Sequence, residues 1–305
     1  MLCTAIGSLQ LDSPLLTASG TFGHDPSALA YLQPGDLGAL VLKTVTPEPR
    51  FGNPPERMGE FPGGVLNAIG LENKGLAYWR DNVAPKLAKL PMPVVANAGG
   101  HSVQDYVAMT EAFHAMEGVA AIELNLSCPN VVGGIQFSTN VEALEEVVKA
   151  CRAATDKPLW VKLSPNVASI IPFAQASEAS GADALTVSNT LMGMLVDWRK
   201  RKPVIANGTG GMSGPAVRPL VLRLVWETAN AVNLPIIASG GAQSVDDVLD
   251  YVVAGATAVQ IGTAVFRRPG VISDIAAELR RVLAEENTSL EELRSSLDWP
   301  HPLSC

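Results

Sequence analysis

The chain has 305 residues, of which 47% are hydrophobic, and its formal net charge is −8 at pH 7. This length and hydrophobic content suffice for a large buried core, and an acidic chain without basic runs argues against nucleic acid or an anionic membrane surface as a partner. The four cysteines are scattered and form no Cys-x-x-Cys pair, which argues against a zinc or iron–sulfur site held by this chain and fits a reducing compartment. No basic, apolar leader opens the sequence and no apolar run approaches the roughly 18 residues of a membrane-spanning helix, so we expect a soluble cytoplasmic protein.

Short runs of β-branched and apolar residues alternate along the chain with amphipathic stretches of helical spacing. The clearest helical stretch starts at Thr139-Asn-Val-Glu142, which has the form of a capping box, and it places Leu144, Val147 and Val148 on one face. The alternation predicts eight strands, at Leu15–Ser19, Ala39–Thr44, Val94–Asn97, Ala121–Asn125, Leu159–Ser164, Ala184–Ser188, Ile236–Ser239 and Ala258–Gly262.

Eight β/α units indicate an α/β fold of the (β/α)8 TIM-barrel type, with a doubly wound open sheet as the alternative. The nearest approach to a dinucleotide-binding loop, Gly208-Thr-Gly-Gly-Met-Ser213, has Ser where the third Gly is required, which favours the barrel. Residues 1–14 predict a short strand pair that closes the bottom of the barrel. Residues 46–72 predict a long insertion, rich in Pro and Gly, after the second strand. We expect residues 1–305 to form a single domain.

Polar residues stand at the predicted carboxyl end of each strand or just beyond it. They are Ser19, Lys43, Asn97, Asn125, Lys162, Asn189, Ser239 and Thr263. Any one of them could cap a turn or reach solvent, but the carboxyl ends of barrel strands share one mouth, so together they predict a polar site. The turns Ser239-Gly-Gly241 and Gly262-Thr263, with Met212-Ser-Gly-Pro215 as a third, are typical of a phosphate site, although plain tight turns are the alternative.

Taken in order, these motifs resemble the dihydroorotate dehydrogenase family over essentially the whole chain. The segments that carry the resemblance are Ala18-Ser-Gly20, Lys43-Thr-Val-Thr46, Asn67-Ala-Ile-Gly-Leu-Glu-Asn73, Leu124-Asn-Leu-Ser-Cys-Pro-Asn130, Val161-Lys-Leu-Ser-Pro-Asn166, Ser188-Asn-Thr190, Ser213-Gly-Pro-Ala-Val-Arg-Pro-Leu220, Ser239-Gly-Gly241 and Gly262-Thr-Ala264. The resemblance implies a barrel that binds FMN at its mouth and oxidises dihydroorotate to orotate in pyrimidine biosynthesis.

The resemblance also implies roles for individual residues. The residues expected to surround FMN are Ser19, Lys43, Thr44, Asn97, Asn125, Lys162, Val187, Gly214, Gly240, Gly241, Gly262 and Thr263. The residues expected to bind the substrate are Lys43, Asn67, Gly70, Leu71, Asn125, Asn189 and Thr190. Cys128 is expected to accept the C5 proton while the C6 hydride passes to FMN, with Lys43 as a catalytic cation; no metal is expected. An ordinary buried thiol in a Cys-Pro turn is the alternative for Cys128, and Gly133-Gly134 is expected to be either a loop hinge or plain flexible loop.

Two features of the sequence bear on the branch of the family. A Cys at the position of the base and a short N-terminus differ from the membrane-bound branch, which uses Ser and carries an N-terminal extension. The stretch Pro49-Arg-Phe-Gly-Asn-Pro54, with Asn67-Ala-Ile-Gly-Leu71, is more similar to the NAD-linked soluble type. That type implies a homodimer joined by an electron-transfer subunit that carries FAD and a 2Fe-2S cluster, in a heterotetramer. Phe61-Pro-Gly-Gly64 and Val131-Val-Gly133 depart from the expected pattern, which leaves loop gating and partner contact open.

Three other functions stay open on the residues alone. The first is a homodimeric, fumarate-using dihydroorotate dehydrogenase. The second is a phosphate-binding lyase or isomerase that forms a Schiff base through Lys43 or Lys162. The third is a non-catalytic interaction module, which would have no need for so many inward-facing polar strand ends.

Overall fold

The computed structural model describes residues 2–23, 26–33, 35–126 and 137–298, and of residues 26–28 it describes the backbone. In chain order the strands are β1 (Thr4–Ile6), β2 (Leu9–Leu11), β3 (Leu15–Thr17), β4 (Leu40–Val41), β5 (Met58–Phe61), β6 (Gly64–Asn67), β7 (Val94–Ala98), β8 (Ala121–Asn125), β9 (Leu159–Lys162), β10 (Ala184–Val187), β11 (Leu191–Met194), β12 (Val196–Asp197), β13 (Lys202–Pro203), β14 (Thr209–Ser213), β15 (Ile236–Ser239) and β16 (Ala256–Ile261). The helices are α1 (Gly75–Asn82), α2 (Ala84–Leu87), α3 (Val103–His114), α4 (Val141–Ala153), α5 (Ile171–Ala179), α6 (Arg218–Ala229), α7 (Val245–Val253), α8 (Ala264–Arg267), α9 (Val271–Glu285) and α10 (Leu290–Leu293), with 3-10 turns at Pro26–Tyr31 and Pro215–Val217.

Eight parallel strands with flanking helices form a (β/α)8 barrel, which confirms the predicted fold class. Their order around the sheet is β3-β16-β15-β10-β9-β8-β7-β4. A parallel bridge between Leu16 and Ala39 joins β3 and the residue before β4, the two strands at the ends of this order. The hydroxyl of Thr17 strengthens this seam, because it donates to the Val41 carbonyl at 2.9 Å and accepts from the Val41 N–H at 2.8 Å. The eight predicted strands are all present, and their ends agree with the prediction to within two residues except for the end of β4, which comes three residues before the predicted Thr44.

Alternation along the strands separates the core under the helices from the interior of the barrel. In β8, Ile122 and Leu124 belong to the helix-side core, whereas Ala121 belongs to a separate apolar cluster inside the barrel. That inner cluster fills the lower half of the barrel with Leu16, Ala39, Val41, Val95, Ala121, Trp160, Ala184, Ile237 and Ala258. The antiparallel pair β1–β2 adds Ile6 and Leu11 to it, which confirms the predicted strand pair at the bottom.

Helix α4 begins one residue later than the capping box predicts. Asn140 is the N-cap, and its side chain accepts from the Ala143 N–H at 2.8 Å. The predicted box with Thr139 as the cap is therefore wrong, since Asn caps a helix at least as well as Thr and stands next to it. The predicted buried face is confirmed, with Leu144, Val147 and Val148 all buried.

A four-stranded antiparallel sheet in the order β11-β14-β6-β5 lies outside the barrel, and we call it the roof sheet. Strands β5 and β6 come from the predicted insertion at 46–72, which is therefore not a structureless loop. Strands β11 and β14 come from a second insertion, after the sixth barrel strand, which the sequence analysis missed. A Cβ on Gly211 would lie 2.0 Å from the Thr190 Oγ1, so only Gly fits there, and such glycines hide β14 from pattern reading.

None of the helices in the described part of the chain has both the length and the hydropathy needed to cross a bilayer.

Candidate active site

A cavity of about 680 Å³ opens between the carboxyl ends of the barrel strands and the roof sheet. A volume of this size lies within the usual range for sites of small molecules and cofactors. Most of the residues that the sequence analysis assigned to the site line this one space. They are Ser19, Lys43, Thr44, Asn67, Gly70, Leu71, Asn125, Lys162, Asn189, Thr190, Gly240, Gly241, Gly262 and Thr263.

Of the predicted residues that the structure describes, three are not among those that line the cavity. Asn97 is fully buried beneath it, and Val187 packs in the core on the helix side of the barrel. Gly214 lies behind Gly241, since a Cβ on Gly241 would be 2.8 Å from the Gly214 carbonyl oxygen. Cys128 lies outside the described residues, as does the Gly133-Gly134 pair.

The floor of the cavity is a hydrogen-bonded network around Glu123, whose side chain is completely buried. Its Oε1 accepts from Asn97 Nδ2 at 2.6 Å. Its Oε2 accepts from Thr186 Oγ1 at 2.6 Å and from Gln260 Nε2 at 2.8 Å. A buried carboxylate requires such partners, because an unpaired charge in the interior is very unfavourable.

Lys162 supplies the opposite charge in the floor. Its side chain is almost as buried as that of Glu123, and its Nζ lies 3.9 Å from Glu123 Oε1. The same Nζ donates to Gln260 Oε1 at 3.3 Å, so the Gln260 amide bridges the two charged groups. Because Lys162 also lines the cavity, the network holds a cation at the cavity floor.

A chain of polar side chains leads from the floor into the wall of the cavity. Thr44 Oγ1 donates to Asn97 Oδ1 at 2.5 Å and accepts from Asn125 Nδ2 at 3.1 Å. Asn125 Oδ1 in turn accepts from Asn189 Nδ2 at 3.0 Å. The hydroxyl of Ser19 lies 3.4 Å from that of Thr44. Side chains from several strand ends are thus joined in one continuous path.

Two glycine turns line the cavity where β15 and β16 end. Gly241 has φ +78°, and a Cβ on it would collide with the backbone of Gly214 and with Arg218, so the turn requires Gly. The carbonyl of Gly240 accepts from the buried hydroxyl of Tyr251, which anchors the turn from behind. Burial raises the pKa of Tyr251, so this phenol stays protonated and can donate. Close approach of the backbone at such turns suits the binding of an anion.

Lys43 is a second, less buried cation in the cavity. Burial lowers the pKa of its ammonium, the nearby carboxylate of Glu72 raises it, and the guanidinium of Arg57 lowers it again. Arg57 and Glu72 form an ion pair with each other. The carboxylate of Glu72 therefore attracts two cations, Arg57 and Lys43.

The loop that carries the predicted substrate residues is held from below by Asn73. Its Nδ2 donates to the Leu71 carbonyl at 2.7 Å and to Thr46 Oγ1 at 2.8 Å. Leu71 has φ +55°, an unfavourable conformation for a branched residue, and such strain is found where a site over-determines the backbone. Asn67, on β6, donates from Nδ2 to the Gly211 carbonyl at 3.3 Å and thereby ties this loop to the second insertion.

Sequence reasoning missed Glu123, Thr186 and Gln260 as parts of the site. Each is a polar residue within an otherwise apolar barrel strand, and each is fully or almost fully buried. The signal was present for Glu123, because alternation puts it on the same face of β8 as Asn125. The predicted site residues were taken from the strand ends, and these three residues stand one inward-facing position below the ends.

Comparison with known proteins agrees with the motifs. The sequence model of the family described as dihydroorotate dehydrogenase matches residues 1–283. Curated relatives named "Dihydroorotate dehydrogenase B (NAD(+)), catalytic subunit" include one from Trichlorobacter lovleyi, 49% identical over 92% of this chain and 92% of its own length. Another, from Listeria innocua, is 46% identical over 97% of this chain and 98% of its own length. A third, from a Geobacillus species, is 45% identical over 93% and 91% of the two chains.

Proposed function

The chain belongs to the dihydroorotate dehydrogenase family, and from that premise we propose that it oxidises (S)-dihydroorotate to orotate in de novo pyrimidine biosynthesis, with FMN as its cofactor. The observation that carries the proposal is the single cavity at the barrel mouth, which is lined both by residues expected to hold FMN and by residues expected to hold the substrate. Hydride transfer needs the donor carbon and the acceptor in contact, so a shared cavity is the arrangement that the reaction requires.

The residues present fit FMN. The cavity volume suits a flavin, the glycine turns at 240–241 and 262–263 suit its phosphate, and Lys162 offers a cation at the floor. Bound there, FMN supplies the acceptor for the C6 hydride. Lys162 would offset the negative charge that develops on the ring system during hydride transfer. Of the residues expected to surround FMN, those that line the cavity would contact it, namely Ser19, Lys43, Thr44, Asn125, Lys162, Gly240, Gly241, Gly262 and Thr263. Asn97, Val187 and Gly214 would support this lining from behind.

The substrate would occupy the side of the cavity that the roof sheet covers. Lys43 offers its ammonium to the substrate carboxylate, and Asn67, Asn125 and Asn189 offer amides that can both donate and accept, as the amide and imide edges of the ring require. Gly70, Leu71 and Thr190 complete the substrate set. Asn67 ends β6, and Gly70 and Leu71 belong to the following loop, which Asn73 anchors, so this set is held in a defined position before substrate arrives.

Cys128 would accept the C5 proton, and Lys43 would act with it as a catalytic cation. A free thiol has a pKa of about 8.5, so proton abstraction at neutral pH depends on a good position and on the surrounding charge. Cys128 follows Asn125 by three residues in the chain, directly after the barrel strand that supplies both Glu123 and Asn125.

We further propose that this chain is the catalytic subunit of the NAD-linked type and that it acts as one FMN-binding barrel domain in the cytoplasm. The names of the three relatives, "catalytic subunit" and "NAD(+)", support this type over the fumarate-using one. Electrons would leave through a partner subunit that carries FAD and a 2Fe-2S cluster, with two copies of each chain in a heterotetramer. A Schiff-base lyase has no support from the relatives.

The test is a visible spectrum of the purified protein before and after anaerobic dihydroorotate. A yellow protein whose flavin band is bleached by the substrate would support both FMN and the reaction. A colourless protein that takes up no FMN would contradict the proposal. The Cys128→Ala variant is expected to bleach at least about 10²-fold more slowly, as for loss of a general base. Cys128→Ser is expected to keep slight activity that rises with pH, and normal bleaching in Cys128→Ala would remove the role of Cys128.

A further inference from the structure

We propose that Glu123 is a positioning residue that sets, from the floor of the cavity, the hydrogen-bond direction of the substrate-binding asparagines. Glu123 does not line the cavity; it acts through Asn97 and Thr44 on Asn125 and Asn189. The inference rests on the proposed function in one respect, which is that Asn125 and Asn189 contact the substrate.

The first step is the chemistry of the carboxylate. An ionised carboxylate only accepts hydrogen bonds, so the side-chain atom of Asn97 that lies 2.6 Å from Glu123 Oε1 has to be the donor nitrogen. The oxygen of the same amide then faces away from Glu123, toward Thr44. An amide oxygen only accepts, so Thr44 has to donate its single hydroxyl proton to Asn97, at 2.5 Å.

The second step carries this direction into the cavity wall. With its proton committed to Asn97, Thr44 can only accept from Asn125, whose Nδ2 lies at 3.1 Å. Asn125 Oδ1 must then face onward, where it accepts from Asn189 Nδ2 at 3.0 Å. Asn189 Oδ1 accepts from the Thr190 N–H at 2.8 Å, which ends the path at the backbone.

The remaining partners of Glu123 explain why a carboxylate, and not an amide, fits at this position in the floor. Thr186 and Gln260 both donate to Oε2, and the Lys162 ammonium lies 3.9 Å from Oε1. Three donors and one cation surround the two oxygens, and none of these described groups accepts a proton from residue 123. An amide at this position would therefore place its NH₂ group against a donor on either side.

The substitution Glu123→Gln would disturb this arrangement in one of two ways. If the new NH₂ group faces Asn97, the Asn97 amide has to turn over, and Thr44, Asn125 and Asn189 have to reverse in sequence. If it faces the other way, Gln260 has to turn its own NH₂ group toward the Lys162 ammonium. Both outcomes change what the cavity wall presents to a ligand, although side-chain volume and backbone are unchanged.

The test measures the affinity of orotate for the oxidised holoenzyme, by titration of the flavin absorbance, together with the FMN content per chain. Glu123→Gln is expected to weaken orotate binding by at least about tenfold, since one or more buried polar groups lose their partners. The matched control is Thr186→Val, which removes a donor to the same carboxylate but leaves the Oε1 branch intact. Its orotate affinity is expected to stay within about twofold of the wild-type value.

The decisive variant is the double substitution N97D/E123Q, which moves the carboxylate one step along the path. The introduced glutamine can then donate to the introduced aspartate and still accept from Thr186 and Gln260, while the aspartate still accepts from Thr44. The direction at Thr44, Asn125 and Asn189 is that of the wild type, so orotate affinity is expected to recover to within about threefold. A residue that served only packing or only charge near Lys162 would not be rescued in this way.

Each outcome decides the inference. Unchanged orotate affinity in Glu123→Gln, or a loss that N97D/E123Q fails to rescue, would overturn it. If Glu123→Gln does not fold, N97D/E123Q alone decides, because a tenfold loss there contradicts a role that depends on direction. If neither variant folds, Thr44→Val interrupts the path without touching a charge, and normal orotate affinity would refute the inference. A wild-type protein that binds neither FMN nor orotate would instead refute the proposed function.

Discussion

The barrel interior has two layers that differ sharply although the same strands build both. The lower layer is an apolar cluster, and the upper layer holds the Glu123 network. The two layers are two residues apart on each strand, which is about 6.6 Å along the chain. The pairs, with the lower residue first, are Val95 and Asn97, Ala121 and Glu123, Trp160 and Lys162, Ala184 and Thr186, and Ala258 and Gln260.

The difference indicates a division of labour within each strand. The lower layer stabilises the barrel by burying apolar surface, as the filled interior of this fold requires. The upper layer places charged and amide groups at the floor of the cavity, and its buried charges are unfavourable for folding unless they are paired. Substitutions in the lower layer should therefore change stability first, and substitutions in the upper layer should change chemistry first.

The largest effect is expected for Trp160→Ala in the lower layer. Trp160 is fully buried, and its removal should lower the free energy of unfolding by about 3–5 kcal/mol, because the lost contacts leave a cavity. The measurement is the melting temperature of the holoenzyme, which should fall by roughly 5–8 °C for a chain of 305 residues. The matched control is Trp160→Phe, since the Trp160 Nε1 has no hydrogen-bond partner among the described residues and only ring volume is lost. A melting temperature close to the wild-type value in Trp160→Ala would contradict the assignment of stability to the lower layer.

A smaller effect on stability and a larger one on chemistry are expected two residues further on, for Lys162→Met. Glu123 keeps three hydrogen bonds in this variant but loses its cation, so some stability is lost. The rate of flavin bleaching by dihydroorotate should fall by about 10²–10³-fold, because the charge that develops in the reaction is no longer offset. Stopped-flow bleaching, run below the melting temperature of both proteins, measures this. A wild-type rate would mean that the cation of the floor takes no part in the reaction.

The smallest effect, and the one of opposite sign, is expected for the stability of Lys43→Met. Burial lowers the pKa of Lys43 below its ordinary value of 10.5, so folding disfavours the charged form. This unfavourable contribution is fully present below the folded pKa and disappears as the pH rises toward 10.5. Lys43→Met should therefore melt slightly above the wild type at pH 7, and the difference should shrink by pH 10.

Lys43→Arg is the matched control for that comparison, because its guanidinium stays charged over this pH range and should show no such gain. Both Lys43 variants should oxidise dihydroorotate poorly. A Lys43→Met protein that is less stable than the wild type at pH 7 would contradict the view that this cation of the cavity is maintained at the expense of stability.

The two layers also explain which parts of the molecule the sequence could predict. The barrel and its strands were predictable because alternation is strong where one side of a strand packs on helices, as in β8 and β9. The strand-end residues were predictable because Lys162 and Asn125 are polar residues in apolar surroundings. Gln260 was missed because a single polar residue inside a strand has no local sign that shows whether it joins a network. Glu123 shares the inward face of β8 with Asn125, but it was passed over because it stands below the strand end.

The roof sheet could not be predicted for a different reason. Its strand β14 is rich in Gly, whose lack of a side chain removes the pattern that identifies a strand. The pairing of β14 with β6 depends on contacts between distant segments, and nothing in the local sequence of either strand records its partner. The cap of α4 was misplaced for a simpler reason, since Thr139 and Asn140 are both good N-cap residues and only the packed helix selects between them.

The pairing of β6 with β14 has a consequence for how the protein folds. The Asn67 side chain bonds to the Gly211 carbonyl across a separation of 144 residues, and this loop contains four of the eight barrel strands, so their folding shortens the free chain that has to be closed. Contacts of such high sequence separation form late, because the entropy of closing a long loop opposes them. We therefore expect the loop that follows β6, with Gly70 and Leu71, to become ordered only in a chain whose barrel is nearly complete. Orotate binding would then report correct folding of the whole molecule, and partly folded chains would not sequester the ligand.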